Sequence, residues 1–134
     1  MKKYFFLILF LWINTPVAVL PNENLILEVY YFHADQRCES DLQIEKECKQ
    51  VIETVFEKEI NENKVIFHVI NFMDPENKDI SEKFEIGWST LLINKTEGNQ
   101  EEIINLNDFA FTNIPANPST FRTGLENQIK QLLE

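Results

Sequence analysis

At 134 residues, 44% of them hydrophobic and 25% charged, the chain has the size and composition of one globular domain, with no repeat, low-complexity tract or linker to divide it. Acidic residues number 22 against 12 basic ones, and the formal net charge of -10 excludes nucleic acid and anionic membrane surfaces as natural partners of the domain. Two cysteines, Cys38 and Cys48, are too few for a disulfide framework.

The chain opens with Met1-Lys2-Lys3 and an apolar run over residues 4–13, the charged start and short greasy middle of a secretory signal. That run is too short for a standard membrane span. Residues 1–20 are therefore expected to be a signal peptide, with an uncleaved N-terminal anchor as the second reading, and 21–134 to be one exported domain, periplasmic or secreted. No cysteine directly follows the run, which argues against a lipoprotein anchor. Without the first 20 residues ten basic residues face 22 acidic ones, a net charge of -12.

Leu25 to His33 is rich in β-branched and aromatic residues and predicts a strand buried on both faces, near the centre of a sheet. Over 39–60 the apolar residues Ile44, Cys48, Val51, Ile52, Val55 and Phe56 recur at helical spacing between Glu and Lys, predicting one long amphipathic helix. Residues 61–63 supply a turn and 65–70 a second apolar strand, which completes a β-α-β unit. Asp74 reads as a helix N-cap with Pro75 at the first helical position, opening a short helix that runs to Phe84. A third strand over 89–94 and a fourth over 101–106 flank a Gly98-Asn99 hairpin turn. A last helix starts near Asn117-Pro118-Ser119, with Phe121, Leu125, Ile129 and Leu132 on one face.

The order β-α-β-α-β-β-α describes an α/β domain with a four-stranded mixed sheet flanked by helices. Arg37-Cys38 then stands just after the first strand, at the start of the long helix, where thioredoxin-like proteins carry CxxC. Gly87-Trp88-Ser89-Thr90-Leu91-Leu92 stands where they carry Gly-Ile-Pro-Thr-Leu-Leu. On these residues the chain resembles the thioredoxin-like superfamily. Within it, the chain resembles the bacterial ArsF-family nitrophenyl compound nitroreductase subunits through Phe32-His33 followed by Arg37-Cys38, through Met73-Asp74-Pro75-Glu76-Asn77-Lys78, and through residues 105–111. The resemblance implies the thioredoxin fold, thiol redox chemistry and a protein partner such as a reductase subunit.

Two departures limit what it implies. Cys38-Glu39-Ser40-Asp41 is C-x-x-D, so a dithiol cycle within the site is unavailable, and the proline usual beside the active site is Ser89. Ten helical positions separate Cys38 from Cys48, about 15 Å along an axis at 1.5 Å per residue. A disulfide needs Cα atoms within about 7 Å, so the two are expected to be separate thiols.

The candidate catalytic residues are Cys38, Arg37 and Asp41. The helix start and Arg37 favour a thiolate at Cys38, while Glu39 and Asp41 oppose it. The candidate binding residues are His33, at the C-terminal end of the first strand, with Trp88 and Ser89 beside Cys38. His33, Cys38 and Asp41 make only a weak zinc pattern without a fourth ligand, so neither metal nor cofactor is expected. Cys48 and His68 are read as packing residues, and Asn94-Lys95-Thr96 fits the glycosylation pattern. Two functions stay open: mixed-disulfide chemistry at a single cysteine, or a non-catalytic binding subunit of a larger reductase or envelope complex. The sequence leaves the oligomeric state open.

Overall fold

A computed structural model describes residues 24–134; the expected signal or anchor lies outside them. Strands β1 (Leu25–His33), β2 (Val65–Asn71), β3 (Thr90–Glu97) and β4 (Gln100–Asn105) form one sheet in the order β2-β1-β3-β4. β1 pairs parallel with β2 and antiparallel with β3, and β3 pairs antiparallel with β4. The mixed four-stranded sheet expected from the sequence is therefore present, with β1 inside it.

Alternation along β1 distributes its side chains between two cores. Leu25, Leu27, Val29 and Tyr31 join the larger one with Ile44, Cys48, Val51 and Ile52 of α1 (Glu39–Val55). Tyr30 and Phe32 join the smaller one with Leu92 and with Phe84, which follows α3 (Lys78–Lys83). Two further helices, α4 (Asn107–Ala116) and α5 (Pro118–Leu133), complete the larger core through Ala110, Ile114, Phe121, Leu125 and Ile129. The buried Glu47 carboxylate of α1 meets Arg122 of α5 at 2.7 Å, giving that charge the partner its burial demands.

Several elements differ from the sequence reading. The long helix ends at Val55, and a short α2 (Glu57–Asn61) follows. Phe56 lies between them with φ -112° and ψ 28°, its side chain only 2% exposed, so the backbone gives up one helical residue while the ring reaches the core. Val55, expected on the apolar face, is exposed. Asp74 precedes a 3-10 turn (Pro75–Asn77) but makes no side-chain cap. Asn71 organises this turn instead: its Oδ1 accepts from the Met73 N–H at 3.0 Å and its carbonyl from Asn77 Nδ2 at 2.9 Å.

The sequence reading lacks α4 altogether. Pro115 lies one residue before the end of the helix, where it lacks the N–H that would bond the Phe111 carbonyl. At the other end of the sheet, Gly98 adopts φ 61° in the two-residue hairpin turn, a conformation open to glycine at no steric cost. The glycosylation pattern falls within β3, and Asn94 is fully buried with its amide toward Glu28 and Glu101, so the folded chain offers no acceptor there. His68, as expected, is a half-buried strand residue, stacked on Tyr30 at 4.5 Å with Nε2 3.2 Å from Glu28.

The larger core depends on Phe121, fully buried and stacked on Phe109 of α4 at 5.4 Å. Phe121→Ala is expected to cost about 3–5 kcal/mol in urea unfolding, the range for emptying an aromatic site in a packed interior.

Candidate functional site

Cys38 is the N-cap of α1, with extended backbone (φ -82°, ψ 172°), and it is exposed. Its carbonyl accepts the first helical bond, from the Leu42 N–H at 3.2 Å. Its own N–H donates to Asp41 Oδ2 at 3.0 Å, so the side chain three residues along the helix reaches back and closes the first turn. The other oxygen of the same carboxylate, Oδ1, accepts from the hydroxyl of Tyr31 at 2.9 Å, across from the central strand. The Cys38 thiol and the Ser89 hydroxyl lie near enough to Asp41 to favour its charged form.

Asp41 is only 6% exposed. Burial by itself would raise its pKa, but the hydrogen bonds from Cys38, Ser89 and Tyr31 together outweigh it and hold the carboxyl below its ordinary 3.8. The same pairing acts on Tyr31 in the opposite sense: burial first, then its bond and proximity to Asp41, push the phenol well above its usual range. Tyr31 is therefore a permanent donor here. Arg37 turns its guanidinium over the Tyr31 ring, 5.7 Å from its centroid, donates to the Asp41 carbonyl at 3.3 Å, and forms an ion pair with Glu45 one turn further along α1.

The structure thus brings Cys38, Asp41 and Ser89 together, with Arg37 behind the helix start. Trp88, next to Ser89, is 70% exposed, so it presents its indole to solvent rather than packing over the site. His33 is at the end of β1 with Nδ1 facing the Ala34 carbonyl at 2.9 Å. Cys48 is fully buried, and its thiol is pushed far up, chiefly by that burial and then by Glu45 and Glu47. Both cysteines are free, as their helical separation requires.

Two residues of the site escaped the sequence reading. Tyr31 reads as one more apolar strand residue, and only the packing of α1 on β1 reveals the destination of its hydroxyl. Asn107, at the start of α4, accepts from the Leu91 N–H at 2.7 Å and directs its amide nitrogen to the Ser89 carbonyl and Thr90 Oγ1, each at 3.4 Å. It fixes the segment that carries Trp88 and Ser89. Its only local signal is an Asn immediately after a strand, which is common to many turns.

No family model and no curated protein matches the chain. Among solved structures, human ERp44 in its zinc-bound form is similar over 85% of this chain and 29% of its own, at 16% identity and a TM-score of 0.52. The fold is thioredoxin-like. The chain thus spans less than a third of that protein's length. A structure described as a malarial protein covers 63% of this chain and 89% of its own, at 14% identity and a TM-score of 0.41.

Asp41 has a depressed pKa in the folded state, so its contribution to stability is complete above the unfolded value of 3.8 and is lost as pH falls through the lower folded value. Asp41→Asn is expected to cost about 1–3 kcal/mol near neutral pH, the range for disturbing a buried bonded group. The gap from wild type in urea unfolding should narrow as pH falls to about 3 and below. A constant gap across that range would mean that the carboxylate charge contributes nothing.

Proposed function

We propose that this is an exported thioredoxin-fold protein that takes part in thiol-disulfide exchange through one cysteine, Cys38. The observation that carries the reading is an exposed thiol at the N-cap of α1 with the Asp41 carboxylate in the position of a second thiol. A carboxylate accepts hydrogen bonds but cannot form a disulfide, so the partner must supply the oxidising equivalent. Cys38, deprotonated, attacks one sulfur of the partner's disulfide; the new S–S bond forms as the old one breaks, and the other sulfur leaves as a thiolate that takes up a proton. A thiol from a further molecule then attacks the mixed disulfide and frees Cys38. The likeness to ArsF-family subunits belongs to this proposal and suggests a larger reductase as the partner. ERp44 is described as zinc-bound, but among the described residues no three His, Cys, Asp or Glu side chains converge on one point, so the proposal includes no metal.

Trp88 favours the second reading. A tryptophan 70% exposed beside Ser89 is a surface anchor of the kind that protein interfaces use, and a binding subunit would need no thiol chemistry. Leu42, exposed on the first turns of α1, adds apolar surface to the same helix.

Oxidised glutathione separates the two. The first reading expects one glutathione adduct, located at Cys38 by mass after digestion and absent in Cys38→Ser, with Cys48 untouched in the folded protein because it is buried. Failure of Cys38 to form the adduct, while the denatured chain reacts at both cysteines, would remove the exchange reading and leave the binding subunit.

A further inference from the structure

The sheet has two edges, β2 and β4, and their chemistry differs. In the parallel β1–β2 ladder the Leu27 N–H donates to the Lys64 carbonyl and the Phe72 N–H to the His33 carbonyl, in a register that sets Leu27 beside Val65 and His33 beside Asn71. Parallel strands bond through alternate residues, so Ile66, His68 and Ile70 turn their backbone groups to β1, while Phe67 and Val69 turn theirs outward. Among the described residues nothing bonds to these outward groups. The open stretch is bounded at both ends. Val65 is 1% exposed, and the Asn71 carbonyl accepts from the Asn77 side chain and the Asp74 N–H, whereas Val69 between them is 40% exposed. Unpaired backbone groups along an edge invite another strand, and charged side chains are a usual guard against it. β4 is guarded by the adjacent Glu101 and Glu102, but from Val65 to Asn71 β2 has no Asp, Glu, Lys or Arg.

Charge and symmetry select the occupant. With a net charge of -10 two copies of the chain repel each other over most of their surfaces, and they approach most easily where neither carries a charge. The stretch is also self-complementary. A two-fold axis at His68 sets Phe67 of each copy opposite Val69 of the other, and Ile66 opposite Ile70, the aromatic and β-branched pairings that antiparallel neighbours favour. The same axis makes Phe67 and Val69 the hydrogen-bonded pairs, which uses every outward N–H and carbonyl of both copies, and leaves His68 facing its own copy with Nε2 held by Glu28. We propose that two copies of this chain associate through the open edge of β2, antiparallel and two-fold about His68, so that their sheets run on into one. Such a contact is isologous and closes as a dimer. Its short length places it among weak, concentration-dependent interfaces. The inference goes beyond the thiol reading and does not rest on it.

The test is sedimentation equilibrium of the full chain, paired with hydrogen exchange at the Phe67 and Val69 amides. The mass is expected to rise with concentration from 15.8 kDa toward twice that value, and both amides to exchange more slowly as it does. Val69→Pro removes an outward N–H that β1 does not use, at an edge position where proline is tolerated. It should weaken association at least about tenfold, because the symmetry deletes two bonds with one substitution. If the proline disturbs the fold, Val69→Lys, which puts a cation on each side of the axis, gives the same comparison. Ile103→Lys, at an exposed position of β4, should leave the dimer unchanged. A mass of one chain at every concentration would overturn the proposal. So would association that survives both Val69 substitutions, as pairing through β4 or through the apolar run at residues 4–13 would produce. Protection of the two amides that does not depend on concentration would overturn it as well, assigning the edge to a segment of the same chain.

Discussion

The hydrogen bond from the Tyr31 hydroxyl to the Asp41 carboxylate joins the middle of the sheet to the first turn of α1, and the arrangement around Cys38 follows from it. A carboxylate taken out of water is costly unless donors surround it. Here one comes from the strand and one from the backbone of Cys38, with the Ser89 hydroxyl of the loop before β3 near by, so a single charge draws three segments together. The N-terminal end of a helix also favours a negative charge, and Asp41 lies in the first turn. Where a redox-active thioredoxin site has a second sulfur, this protein has an electrostatic anchor that holds the thiol's neighbourhood still.

The rest of the fold supplies what that anchor requires. β1 is paired on both edges and covered on both faces, which leaves its C-terminal end as a fixed platform for the loop to Cys38. α1 is held on the sheet by its apolar face and tied to α5 by the buried Glu47–Arg122 pair. Asn107 serves the other side of the site, bonding to Leu91 and Ser89 so that the start of β3 is pinned where Ser89 meets Asp41. These contacts lie between segments distant in sequence, so the geometry at Cys38 is a property of the packed domain.

Much of the fold was legible in the chain. Both ends of β1 were read correctly, because a run of β-branched and aromatic residues bounded by polar ones has few other uses. The α5 start was equally plain, since Asn117 accepts from the Ser119 N–H and Pro118 can occupy only such a position. Misreadings fell where local pattern and tertiary packing part company. The apolar spacing runs through Phe56 without a break, yet the backbone leaves the helical conformation at that buried residue. Asp74 has the right residue type for a cap, but the bonds around the turn run to Asn71, which accepts from the Met73 N–H and from the Asn77 side chain. The Asn94 pattern is local, whereas its burial depends on strand pairing.

By itself the sequence determined the order of the four strands, the helices that begin at Glu39 and Pro118, the two thiols on separate turns, the carboxylate at the fourth position of the motif and the acidic net charge, because each depends on residue type and short-range spacing. The tertiary structure alone decided that Asp41 is buried and bonded to Tyr31, that Trp88 stands exposed, and that Asn107 holds the adjoining loop. Hydrogen-bond partners and exposure are set by whichever segments meet when the core closes, and a side chain's neighbours in sequence carry no record of that meeting.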